Sequence, residues 1–78
     1  MKVLASIENT GNMSYAWTGI ESANTISFAN DGTDDAVITI HNSSITVKPG
    51  ESLDVSFPVK ILDVDIVTTS AWRMLIGD

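Results

Sequence analysis

Apolar residues recur at every second position along most of this chain. In "TISFA", Ile26 and Phe28 fall on one face, and in "AVITI", Ala36, Ile38 and Ile40 oppose Val37 and Thr39. "SITVK" sets Ile45 and Val47 against Ser44 and Thr46, and "SLDVSF" sets Leu53, Val55 and Phe57 against Asp54 and Ser56. "ILDVDIVT" puts Leu62, Val64 and Ile66 opposite Asp63 and Asp65, and "AWRMLIG" puts Trp72, Met74 and Ile76 together. Successive strand side chains point to opposite faces, so this alternation, rich in β-branched and aromatic residues, predicts strands with one face buried. No window of similar length has helical spacing.

Turn formers punctuate the runs. "NDGTD" carries Asp-Gly, "HNSS" carries Asn and Ser, and "KPGES" carries Pro-Gly, the pair a type II turn favours. From Ile26 to Phe57 these signals predict an antiparallel meander of three hairpins, with Asp31-Gly32 supplying the positive φ of a tight turn. Upstream, "KVLASIE" and "SYAWTGI" read as strands joined by "NTGNM". The expected fold is all-β: a small antiparallel β-sandwich or barrel of seven or eight short strands, of meander or Greek-key type, forming one domain over residues 1–78. The outward carboxylates of "DVD", Asp63 and Asp65, are what an edge strand uses to deter pairing with another molecule.

Length changes the picture, because 78 residues bury only roughly 60% of their unfolded surface and leave a core with little margin. The chain has no cysteine, so neither a disulfide nor a thiolate metal site reinforces it. The core is either supplemented by association or a complete but minimal sandwich; protein partners are expected, further copies in a homo-oligomer among them. Ten acidic residues against four basic ones give a net charge of −6, and Lys2, Lys48, Lys60 and Arg73 are scattered singly. Direct nucleic-acid binding and anionic membranes both require clustered cations, so neither is expected. No apolar run approaches the ~20 residues of a spanning helix, and "MKVLASIENTGN" does not read as a secretion signal. The sequons at Asn12 and Asn42 are read as turn chemistry.

Candidate chemistry is sparse. A catalytic triad needs a base beside a nucleophile, and the one histidine, His41, sits alone at a turn. No enzyme is expected, and no catalytic, cofactor-binding or metal-binding residue is assigned. Asp31, Asp34 and Asp35, helped by Asn30, could offer oxygen ligands to calcium, but "DGTDDAVITIHN" lacks the spacing of a helix-loop-helix calcium site. A solvated hairpin tip is the expected role. Tyr15 and Trp17 share a face and could stack against a sugar ring, which makes a carbohydrate- or host-surface-binding module one alternative. Trp72, beside Met74 and Ile76, is expected in the core. The acidity supports a second alternative, an inhibitor that mimics a phosphate backbone, although the carboxylates divide between residues 31–35 and 63–65. The residues assigned to an interaction surface are Tyr15, Trp17, Asp63, Asp65 and Val67.

The pattern "FANDGTDDAVITI…SITVKPGESLDVSF…IVTT…WRMLIGD", from Phe28 to Gly77, resembles small β-sandwich modules of tailed-bacteriophage and prophage virion proteins. Their rhythm is a strand ending in Asn, a turn rich in Asp, Gly and Thr, a V-x-I strand, a Pro-Gly-Glu turn and a closing apolar strand ending in Gly. The resemblance implies a capsid, tail or fibre-associated module, homo-oligomeric and without catalysis, located in the virion or the host cytoplasm.

Overall fold

The computed structural model describes all 78 residues. Eight strands form: β1 (Val3–Thr10), β2 (Met13–Ala16), β3 (Thr25–Asn30), β4 (Ala36–Ile40), β5 (Ser43–Val47), β6 (Ser52–Ser56), β7 (Asp63–Val67) and β8 (Ala71–Gly77). They build two four-stranded antiparallel sheets, in the orders β1-β8-β3-β6 and β2-β7-β4-β5. The molecule is a small sandwich with no closed barrel. Pairing is nested: β4 with β5, β3 with β6, β2 with β7 and β1 with β8. One long hairpin, folded at His41-Asn42, is thus rolled so that alternate rungs fall in alternate sheets, the jelly-roll arrangement.

This topology corrects the meander expected between Ile26 and Phe57. Only β4 and β5 are joined as a hairpin; β3 passes to β4, and β5 to β6, by crossing between sheets. The hairpin turn lies at His41 and Asn42, with φ of 51° and 63°, the doubly left-handed geometry of a type I′ turn. Asp31-Gly32 makes a crossover instead, and Gly32 does not have a positive φ. What Gly32 provides is clearance: a Cβ there would collide with the Ser70 side chain and the Ala71 amide. The Pro49-Gly50 turn forms as expected, with Gly50 at φ 80° and the Glu51 amide donating 3.0 Å to the Lys48 carbonyl. It too links the two sheets.

The alternating residues meet between the layers. Ile26, Phe28, Ala36, Ile38, Ile40, Val47, Val64, Ile66, Trp72, Met74 and Ile76 are buried, joined by Ala23 and Ile61 from loops. Trp72 stacks on Phe28 at 5.6 Å and donates its indole N–H to the Gly11 carbonyl at 2.9 Å, so its polar atom is satisfied at the core boundary. Two details differ from the alternation. Leu62 is exposed and Ile61 buried, because β7 begins only at Asp63 and the preceding loop turns its own residue inward. β7 is also an interior strand between β2 and β4, so Asp63 and Asp65 guard no edge.

Candidate interaction surface

The rolled hairpin gives the sandwich two unlike ends. At one end lie the β1–β2, β3–β4, β5–β6 and β7–β8 connections. Asn30 organises that end. It occupies the last inward position of β3, is 2% exposed, and spends every side-chain hydrogen-bonding group on the main chain around it. Its Nδ2 donates to the carbonyls of Asp34 and Val47, both at 2.8 Å, and its Oδ1 accepts from the Gly32 amide at 3.0 Å. Its own amide donates to the Glu51 carbonyl and its carbonyl accepts from the Gly50 amide, each at 3.0 Å. A polar side chain can be buried this deeply because it is fully partnered.

Two of the three exposed aspartates of this end, Asp31 and Asp34, bond to the protein. Asp31 accepts from Arg73 through Nε at 2.5 Å and Nη2 at 3.1 Å, a two-pronged pair on the surface. The hydrogen bond to Asp31 and then its charge raise the Arg73 pKa above its ordinary value, with Glu8 adding a smaller push in the same direction. Asp34 accepts from the Thr69 hydroxyl, and its amide donates to Ser70 Oγ at 3.3 Å. Asp31 and Asp34 thereby lock the crossover onto β8 and the β7–β8 loop, and no cluster of three acidic or histidine side chains gathers anywhere in the chain. The aspartates are exposed as expected, but the segment is a pinned crossover and no hairpin tip, and of the three only Asp35 makes no side-chain bond.

His41 lies at the opposite end from Asp31, Asp34 and Asp35, its ring edge-on to Phe57 at 4.9 Å, so the fold does not assemble it with those carboxylates. The larger surface depressions are open grooves. One, of about 470 Å³, runs past Glu8, Asn9, Thr10, Asp31 and Arg73; another, of about 520 Å³, crosses Asn12, Ser14, Thr39, Asp65 and Val67.

The residues assigned to a surface from sequence separate into two groups. Asp63, Asp65 and Val67 are exposed on the outer face of the β2-β7-β4-β5 sheet. Asp65 accepts from Ser14 Oγ at 2.6 Å across the β2–β7 pair, and Val67 stands opposite Val37. Tyr15 and Trp17 face the other way: both are half-buried and pack against the core. Trp17 donates its indole N–H to the Glu21 carbonyl at 2.7 Å, its amide donates to the Leu62 carbonyl at 2.8 Å, and Gly19 lies against its ring. The loop closes over the indole, so Tyr15 and Trp17 do not form a flat open platform.

The remaining end carries the surface that the alternation missed. The 17–24 and 57–62 loops meet there, with the Ile61 amide donating to the Ala23 carbonyl at 2.6 Å and the Phe57 amide to Asn24 at 2.8 Å. The start of β1 joins them, Lys2 Nζ bridging to Glu21 at 3.0 Å, a pairing that raises the Lys2 pKa through the hydrogen bond and then the charge. Buried Ala23 and Ile61 plug the core from this side, and their neighbours point outward. Ile20 is fully exposed at 104%, Val59 and Leu62 are each 59% exposed, and Met1 and Val3 are open too. Val67 is the single large exposed apolar residue lying elsewhere. Ile20, between Gly19 and Glu21, and Val59, after Pro58, lie outside any alternating run, so the pattern assigns them to no face. No known protein family, curated protein or solved structure matches this chain.

Proposed function

We propose that the protein is a non-enzymatic protein-interaction module that serves as a structural or accessory component of a phage-type virion, with its loop end as the contact surface. One observation carries the reading. Five of the six large exposed hydrophobic residues, Met1, Val3, Ile20, Val59 and Leu62, gather at one end of a sandwich whose other end is closed by hydrogen bonds. Single exposed apolar residues are ordinary, but a cluster of them on so small a body marks a place where another protein sits. Asp63, at the start of β7 next to Leu62, supplies charge at its rim. The link to virions rests on the sequence resemblance over residues 28–77 and on the use of jelly rolls as building units of viral shells, an analogy of fold.

Co-sedimentation with particles assembled in cells expressing the chain tests this. The wild-type protein is expected in the particle fraction, and an Ile20→Asp/Leu62→Asp variant, folded by circular dichroism, is expected in the supernatant. Equal partition of the two, or absence of both from particles, overturns the reading. Recovery with a nucleic-acid enzyme in place of particles would favour an acidic inhibitor.

A further inference from the structure

Each sheet of the sandwich leaves two open edges, and three of the four carry a device against pairing. β1 is interrupted by a bulge between Val3 and Ala5 and bears Glu8. β2 has only four residues. β6 bears Asp54 at its centre. Short strands, bulges, prolines and charges are the means by which proteins keep edges from meeting. β5, "SSITV", has none of them: no charge, no proline and no bulge over its five residues. Its neighbour β4, "AVITI", is uncharged as well.

Charge decides where two copies of a chain carrying −6 can approach. Asp54, at the centre of β6, would face its own counterpart across a self-paired edge, and Glu8 would bring like charge to a β1 seam, whereas β5 brings none. Its geometry is also prepared. Ile40 and Ser43 close a two-residue hairpin, so Ser43, Ile45 and Val47 direct their main-chain groups at β4. Ser44 and Thr46 therefore aim theirs at the open side, where both residues are exposed. Ile45 is only half-buried although it belongs to the inward row.

We propose that β5 is a self-association edge, on which a second copy of this chain adds its own β5 antiparallel about a two-fold axis at Ile45. Ser44 then pairs with Thr46 of the other copy, about four main-chain hydrogen bonds join the sheets, and the two Ile45 side chains cover each other. The result is one continuous sheet through both molecules, with both loop ends left free. This rests on the reading of the chain as an assembly component, but it uses a different surface.

Sedimentation velocity of the full chain from low micromolar to about 1 mM, read with amide hydrogen exchange, tests it. The expected result is a concentration-dependent dimer in which the Ser44 and Thr46 amides exchange more slowly as dimer forms. Thr46→Pro removes an outward N–H that β4 does not use, and Thr46→Lys adds charge to the seam; each is expected to abolish the dimer with the far-ultraviolet spectrum unchanged. The lysine variant covers the case in which the proline disturbs the hairpin. A wild-type monomer at every concentration, including one whose Ser44 and Thr46 amides are protected only by another protein, overturns the proposal. So does a dimer that survives both substitutions. Neither outcome affects particle binding through Ile20 and Leu62, which the co-sedimentation reads separately, and Ile20→Asp/Leu62→Asp is expected to leave the dimer intact.

Discussion

The side-chain amide of Asn30, at the end of β3, donates a 2.8 Å hydrogen bond to the carbonyl of Val47, at the end of β5 in the other sheet. With its bonds to Asp34 and Gly32, this contact clamps the two layers where four connections cross. Removing Asn30 leaves buried main-chain groups without partners, the costlier way to lose a hydrogen bond. Asn30→Ala is expected to lower stability by about 2–4 kcal/mol in urea unfolding. Asp35→Asn, five residues past the clamp's strand and exposed, is expected to stay within about 0.5 kcal/mol. A loss under about 1 kcal/mol for Asn30→Ala would show that the clamp is not what joins the sheets there.

Gly32 and Gly50 are both turn glycines, yet they serve different needs. Gly50 holds φ 80° with open space around it, while Gly32 is pressed against Ser70 and Ala71. Gly32→Ala is expected to destabilise by about 1–3 kcal/mol through overpacking, and Ser70→Gly in the same chain should recover part of that loss. Gly50→Ala should cost about 1–2 kcal/mol from the left-handed backbone, with no rescue from Ser70→Gly. Thermal or urea unfolding of the double-mutant cycle distinguishes the two; equal behaviour of both glycines contradicts the assignment.

The strands were legible because alternation is local, and their pairing was not because partnership is decided at a distance. Asp-Gly after "TISFA" has the composition of a hairpin turn. The observed crossover follows instead from Ile26 and Phe28 on one side of the core and Ala36, Ile38 and Ile40 on the other, each row needing a facing layer. Asn30 continued the inward row of Ile26 and Phe28, and that position, more than its turn propensity, announced its role. Leu62 was misplaced because "ILDVDIV" alternates past the true start of β7 at Asp63. Exposure of the loop end was invisible, since nothing in Ile20 or Val59 alone says whether a loop covers them.

His41 and Asn42 both adopt positive φ without being glycine, a conformation that costs most side chains about 1–2 kcal/mol, asparagine less. Asn42→Gly is expected to raise stability by about 0.5–1 kcal/mol and to leave the β4–β5 register unchanged. An NMR cross-strand contact between Thr39 and Ser44, whose hydroxyl oxygens lie 2.9 Å apart, reports the register. Destabilisation by Asn42→Gly would count against the turn type.

Calcium is expected to leave the protein unaffected, because Asp31 is committed to Arg73 and Asp34 to Thr69. An ion at a hundred times its Kd would add about 2.7 kcal/mol, ~10 °C or more in a domain of this size. Differential scanning fluorimetry with millimolar calcium should show no such shift. The two cations, Lys2 and Arg73, both have pKa values raised above ordinary values that already lie far from neutrality. Lys2 has a folded pKa raised above its ordinary 10.5, so its contribution is complete below that value and is lost as pH rises through the raised one. Neither the Lys2 pair nor the Arg73 pair should make stability change between about pH 6 and 9. A rise in melting temperature with calcium would instead mean that the carboxylates of residues 31–35 turn outward to the ion.

The most direct test of the loop end as the contact surface is amide hydrogen exchange on the protein alone and bound to the particle it sediments with. Slowed exchange across residues 17–24 and 57–62, with residues 31–35 and 68–70 unchanged, is the expected result. Protection confined to residues 31–35 and 68–70, or to the outer strand faces, would contradict it.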